Sequence, residues 1–420
     1  MKQLTNLAEI SHLFKPGANA VLHSGAAEPP LLAAQLTSLA PTLKGVTLYS
    51  LMPMGDAPYT NTDPANLTLK TFLAGRGLRR AVNAGRAEAI HVTVAEMAPL
   101  FRSGRVRADV LMLHLSAPNS EGTMSLGVSV DFMHAVLEQN PTVITEINPL
   151  MPFTSGNTLV RPDQVDFFIP SNHPPLTMEA VEPSREDRLI AQNVASLVTS
   201  GSVLEIGIGA IPDQVLGQLT HLRRLGVHSG ILTDAFVPLY ESGAITNETK
   251  RAFRGKSVTT MAAGSQKFYD FLHRNVNIQF HSSEITPSFE TLKAITGLTA
   301  INSVLQIDLG GNANAERLGR HFVSSPGGLP DFAQGASAAE NGCSIIALRA
   351  TTKDGTRSNI VPSLAAECPV IATQEYIDYV VTEHGVAHIR GLSPERRADQ
   401  LIAIAHPDFR QELRKAPRTH

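Results

Sequence analysis

The stretch GSVLEIGIGAIPDQVLGQLTHLRRLGVHSGILTD, residues 201–234, decides the reading of the fold. Ser202 to Ile206 is a short, mostly apolar run of strand length, and Gly207-Ile208-Gly209-Ala210-Ile211-Pro212 follows at once. Pro212 fits the first position of a helix, where a missing N–H costs nothing, and Asp213 sets an acid against the positive end of the helix dipole. The pattern predicts a helix from there to about Arg224, ended by Gly226, with Val227-His228-Ser229 opening the next strand. Two glycines ahead of a helix let a phosphate or another anion come close to the backbone. A dinucleotide fingerprint would want a third glycine at Pro212 and an acid about twenty residues further on. Neither is well met, so spacing alone leaves open a plain strand-turn-helix and a nucleotide or coenzyme A (CoA) phosphate site.

Composition bounds what surrounds this unit. A chain of 420 residues, 43% of them hydrophobic, can bury large cores and is expected to hold two domains or three. A formal net charge of -3 gives no general attraction to nucleic acid or to an anionic membrane. The two cysteines, Cys343 and Cys368, lack CxxC spacing and read as buried thiols of a reducing compartment. The first residues lack a basic segment followed by an apolar one, and no apolar run reaches the roughly 18 residues of a membrane span. A cytoplasmic protein is expected.

Outward from the central stretch, apolar runs alternate with helical patterns. Strands are expected at Ala20–His23, Gly45–Tyr49, Leu67–Leu73, Ile90–Val92, Asp109–Leu115, Val143–Ile147 and Asp166–Pro170, with helices at Pro30–Leu39, Leu78–Ala84 and Val94–Phe101. Residues 170–186, rich in proline and polar groups, read as a linker. Beyond it come helices at Asp187–Val198, Lys267–Asn275 and Arg396–Ala405. Further strands are expected near Val258–Met261, Ile278–Phe280, Val304–Leu309, Ser344–Leu348, Pro369–Ala372 and Tyr379–Thr382. Strands separated by helices argue for α/β architecture with parallel, doubly wound sheets.

Several fragments then occur together in a telling order. They are Gly207-Ile208-Gly209-Ala210-Ile211-Pro212, His228-Ser229 through Thr233-Asp234, the run Ala263 to Phe271, Ile301-Asn302-Ser303, Lys353-Asp354-Gly355 and Val381 to Ala387. Gly25 to Pro29, Ser125 to Ser129 and Ile147 to Pro152 extend the set into the first half. In these, and over nearly its whole length, the chain resembles the acetyl-CoA hydrolase/transferase family, most closely its 4-hydroxybutyrate CoA-transferase branch. The resemblance implies two CoA-transferase-like open α/β domains with largely parallel sheets, at residues 1–180 and 187–420, the second holding CoA and the first helping to enclose the acyl group. It also implies acyl-CoA and a small carboxylic acid as substrates, no tightly bound cofactor or metal, no nucleic-acid or membrane partner, and a homodimer or higher homo-oligomer. By resemblance, CoA contacts fall on Gly207, Ile208, Gly209, Ala210, Ile211, Asn302, Gly327 and Gly328, with Lys353 a partner for a CoA phosphate.

The family reaction runs through a glutamate that attacks the thioester and becomes a glutamyl-CoA thioester, with backbone N–H groups stabilising the oxyanions. The resemblance puts that glutamate directly after His228-Ser229, and here the position is Gly230. Glu205, in the apolar strand beside the glycine turn, is the foremost substitute, although a carboxylate satisfied by a helix terminus or a basic neighbour accounts for it as well. Glu28, Glu146 and Glu284 are weaker substitutes, since capping or solvent explains each. The function expected is an acyl-CoA:carboxylate CoA-transferase; the alternatives are a silent acyl-CoA-binding protein and an acyl-CoA hydrolase. Adjacent His228 and Ser229 point to opposite faces of a strand and make no dyad. His384 and His388 have the spacing of two ligands on a helix, but Gly385 favours a turn, and no metal site is expected. The basic run Arg76 to Arg86 could meet a phosphate or a carboxylate, and a solvated helix face explains it better.

Overall fold

The computed structural model describes residues 1–179 and 181–416; the outer ends of the two expected domains, at 180 and 417–420, lie outside the described residues. The chain forms two compact units, one of residues 1–179 and 258–286, the other of 181–257 and 287–416. Both are α/β with largely parallel sheets.

The first unit is built on strands β1 (Lys2–Gln3), β2 (Asn19–Leu22), β3 (Val46–Ser50), β4 (Leu67–Thr71), β5 (Ala87–Ala89), β6 (Val110–Ser116), β7 (Thr142–Asn148) and β8 (Phe167–Pro170). They lie in the order β1-β8-β7-β6-β2-β3-β4-β5, every pair parallel. Parallel strands covered on both faces should read as continuous apolar runs, and β6 is buried along its whole length. Helix α1 (Pro30–Leu39) starts on a proline, as expected from the sequence.

The second unit carries α2 (Arg185–Ala195), β9 (Val203–Ile206), α3 (Ala210–Gly217), β10 (Gly226–Leu232), β11 (Leu298–Ser303), α4 (Leu329–Ala338), β12 (Cys343–Ala347), β13 (Tyr379–Thr382), β14 (Gly385–His388) and α5 (Pro394–Ala403). The strand order is β14-β13-β12-β11-β9-β10, parallel except for the β13–β14 hairpin. From β9 the chain builds outward to β10 on one side, then returns to β11 on the other. The topological switch point is therefore at β9 and β11, and open α/β sheets bind ligands outside the carboxyl ends of such strands.

Several expectations are corrected. Helix α3 ends at Gly217, not near Arg224, and it begins at Ala210, so Pro212 is its third residue and not its first. Gly209, at φ 120° and ψ -175°, turns the chain early, and a proline anywhere in the first turn gives up only an N–H that no carbonyl awaits. Strand β5 occupies Ala87–Ala89, ahead of the expected Ile90–Val92. Residues 369–372 make no strand; a proline offers no ladder donor, and only Ala372 forms an isolated bridge, to Ala313. The turn expected at His384-Gly385 is the hairpin turn ahead of β14, and His388 is the last residue of that strand.

The expected linker and domain boundary also differ. Much of the linker is docked: Leu176 N–H donates to Ala26 O and Met178 N–H to Gly264 O. Residues 258–286, expected in the second domain, belong to the first unit because their hydrogen bonds go there. Ala262 N–H donates to Val128 O, Ser283 N–H to Asp131 O, and the Tyr269 hydroxyl to Leu176 O.

Candidate functional site

The carboxyl ends of β9, β10 and β11 bring together segments far apart in the chain. β9 pairs with β11 as Glu205↔Ala300 and Ile206↔Ile301, and with β10 as Val203↔Gly226 and Leu204↔Val227. Carried forward, the register sets Gly207 between Asn302 and Gly230. The Gly207 N–H donates to Ile301 O at 3.3 Å, and the Ser229 hydroxyl bonds back to Ile206 O at 3.0 Å. Side chains alternate along a strand, so Val203, Glu205 and Gly207 share one face with Asn302 and Gly230. That face is the one α4 covers: Val203, Leu298, Ala300, Phe332 and Ala336 form one buried cluster.

Gly207-Ile208-Gly209 is an open bend. Ile208 is 39% exposed, and a Cβ built on Gly207 or Gly209 would meet nothing within 4 Å. Gly209 lies in a backbone region that only glycine adopts readily, and from it α3 starts with no acceptor for the Ala210 and Ile211 N–H groups among the described residues. The bend thus presents unobstructed backbone donors at the positive end of a helix, the arrangement that accepts phosphate and carbonyl oxygens. Asp213, one turn along, accepts from the Thr233 hydroxyl at 3.3 Å.

Gly230 is half-buried in β10. A Cβ there would stand 3.4 Å from Cε2 of Phe332, which is ordinary contact. The buried Phe332 ring is therefore the first neighbour a side chain at 230 would meet. Phe332 lies one turn into α4 from the Gly327-Gly328 pair, and Gly328 is the residue that precedes that helix. Gly327, at φ 63°, turns the chain into it. The glycine bend, Asn302 and Gly230 are therefore neighbours at the carboxyl ends of the strands, and the Gly327-Gly328 turn lies one helical turn before Phe332, the residue that meets Gly230. Lys353 is exposed on a turn held by the Thr352 hydroxyl donating to Asp354 at 2.6 Å.

Glu205 is 4% exposed, and Oε2 accepts from Asn302 Nδ2 at 2.8 Å. Burial pushes its carboxyl up to about 8, against the opposing pull of the Asn302 amide and the Ile301 N–H. Enclosure and a raised carboxyl both work against Glu205 as a nucleophile.

The other carboxylates have structural partners. Glu28 accepts from the Tyr59 hydroxyl at 3.2 Å and the Gly55 N–H at 3.3 Å, and burial pushes it up to about 7. Glu146 accepts the Leu31 and Leu32 N–H groups at the start of α1, at 2.8 and 3.0 Å. Glu284 is paired with Arg102 at 2.6 Å. A separate groove in the second unit, lined by Gln306, Thr356, Arg357, Ile360, Phe409 and Glu412, includes none of the bend residues.

Phe332 is the site residue that sequence reasoning missed. Its run, Gly327 to Phe332, is legible as a turn into a helix, but the strand its ring faces is set by the fold alone.

Comparison with known proteins covers both halves of the chain. Residues 1–178 match the acetyl-CoA hydrolase/transferase N-terminal domain and residues 264–417 the corresponding C-terminal domain. A 4-hydroxybutyrate coenzyme A transferase of Clostridium kluyveri is 34% identical over 88% of this chain and 86% of its own. A succinyl-CoA:acetate/propanoyl-CoA:succinate CoA transferase of Fasciola hepatica is 33% identical over 99% of this chain and 87% of its own. The crystal structure of a 4-hydroxybutyrate CoA-transferase from Porphyromonas gingivalis superposes with a TM-score of 0.84 at 31% identity, covering 99% of this chain and 96% of that one.

Proposed function

Because the chain belongs to the acetyl-CoA hydrolase/transferase family, we propose that it moves CoA between a short-chain acyl-CoA and a small mono- or dicarboxylic acid of the 4-hydroxybutyrate, acetate or succinate type. The observation that carries this reading is the open glycine bend at the switch point, with Asn302 and Gly230 beside it in the strand register. Backbone N–H groups at Gly209, Ala210 and Ile211 are suited to the oxygens of the coenzyme's phosphate and pantetheine arm. Lys353 is assigned to a CoA phosphate as a point charge on a mobile stem.

In this reading Gly230 occupies the position of the family nucleophile, and Glu205 is too enclosed to replace it. The acceptor acid then does the work itself. Its carboxylate attacks the thioester carbonyl, the C–S bond breaks as the adduct collapses, and a mixed anhydride and CoA thiolate result. The thiolate attacks the acceptor's carbonyl in that anhydride and expels the donor acid, with no net proton gained or lost. Both tetrahedral oxyanions need donors already in place, which the bend supplies. The acceptor would sit beside Gly230, where no side chain stands.

A panel with acetyl-CoA or succinyl-CoA as donor and short mono- and dicarboxylic acids as acceptors tests the proposal. Transfer with no covalent CoA adduct on any glutamate after borohydride or hydroxylamine trapping is the expected result. CoA release without an acceptor would make the protein a hydrolase. The absence of a side chain at 230 favours a second reading, a silent acyl-CoA-binding protein, which would show thermal stabilisation by CoA and neither activity.

A further inference from the structure

We propose that Glu205 is a positioning residue: it fixes which way the Asn302 carboxamide points, and so leaves the Asn302 carbonyl facing outward to accept a hydrogen bond from an amide N–H of the coenzyme's pantetheine arm. This rests on the CoA reading of the bend. A carboxamide has one donating end and one accepting end, and rotation of its last torsion exchanges them at little cost unless a partner discriminates. Glu205 supplies that partner. Its Oε2 accepts from Asn302 Nδ2 at 2.8 Å, which turns the nitrogen end of the carboxamide to the interior. The opposite end, Oδ1, takes no hydrogen bond among the described residues, and Asn302 as a residue is half-buried.

The ligand's chemistry explains the use of such an end. The bend and the start of α3 offer backbone donors, which suit phosphate and carbonyl oxygens. The pantetheine arm also carries secondary amides whose N–H groups must find acceptors when they leave water. Asn302 flanks Gly207 in the strand register, so its carbonyl is placed beside the donors of the bend. Glu205 is 4% exposed and therefore acts through Asn302 and does not touch the ligand.

The test is the dissociation constant of CoA for the full-length protein, measured by titration calorimetry. Glu205→Leu and Asn302→Ala should each weaken CoA by about tenfold, the scale of one hydrogen bond. The double variant should be no weaker than either single, because both remove the same contact. Glu205→Gln, whose side-chain oxygen accepts the same bond, should stay within about twofold. The phosphoadenosine diphosphate portion of CoA, which lacks the pantetheine arm, should bind all variants alike.

Should Glu205→Leu fail to fold, an exchange of roles supplies the answer. Asn302→Asp alone should be weak, and Asn302→Asp with Glu205→Gln should recover, because a glutamine nitrogen can donate to the aspartate. Leucine at 205 binding CoA as tightly as the wild type overturns the proposal, as does a failed recovery in the exchange. A wild type with no affinity for CoA overturns the CoA reading itself and this assignment with it.

Discussion

A Cβ on Gly230 would meet the edge of the Phe332 ring at 3.4 Å, and the backbone there is ordinary strand, so a side chain can be added there without backbone strain. Gly230→Glu should therefore fold and, if 230 is the vacated nucleophile position, raise CoA transfer by tenfold or more, about 1.4 kcal/mol in barrier. The check is the same transfer panel, joined to hydroxylamine trapping that now finds an adduct at residue 230. Activity unchanged by the new carboxylate would count against that assignment. Glu205 supports a second prediction. Its folded-state carboxyl is raised, so the stability it contributes is fully present below the unfolded carboxyl range near 4.5 and is lost as pH rises through about 8. Glu205→Gln cannot ionise. Thermal melts should show the variant gaining on the wild type across that window, on the order of several degrees by its upper end. Parallel melting curves at every pH would show that the residue is not held neutral.

The bend, α3 and the flanking strands act as one element, and its geometry depends on Gly209. With φ 120° and ψ -175° this residue occupies a region that side chains avoid, so Gly209→Ala should cost about 1–3 kcal/mol although open space awaits the new methyl. Denaturant unfolding measures that cost, and CoA binding should fall with it; an alanine variant of wild-type stability would contradict the backbone argument. The entry to α2 rests on a different device. Buried Asp187 is desolvated, which works against its charge, yet Arg349 bonds both its oxygens, at 2.9 and 2.6 Å, and the Ser184 N–H also donates, so its carboxyl is held below the usual range. Arg349→Met would leave that carboxylate without its part-exposed cation and should cost about 1–3 kcal/mol, read from chemical denaturation. A cost under 1 kcal/mol would mean the pair is effectively at the surface.

Much of this element was legible in the sequence. The apolar run before Gly207 reads as a buried strand, and the two glycines read as a bend, since local chemistry determines both. The length of α3 was not legible. Gln218 to Arg224 contains good helix formers, and what stops the helix is a turn after Gly217 that ends with Arg224 in the left-handed region. The partners of Glu205 and Gly230 were hidden for another reason. Asn302 is 97 residues from Glu205, and only the strand order carries it there.

At the scale of the molecule, each unit repeats one plan, a parallel sheet with its helices and a row of carboxyl ends where loops collect. The alternation of strands and helices announces that plan in the sequence. The assignment of residues 258–286 to the first unit could not be read there, because it depends on hydrogen bonds to Val128, Asp131 and Leu176 that no local pattern encodes. If CoA binds the folded chain and not the unfolded one, a hundredfold excess over the dissociation constant adds about 2.7 kcal/mol by mass action, so melting temperature should climb with CoA concentration. The most direct measurement is a crystal structure of the protein grown with CoA. The account predicts the pantetheine arm laid along Gly207-Ile208-Gly209 with Asn302 at its side; CoA bound elsewhere, or the bend empty while CoA is bound, would contradict it.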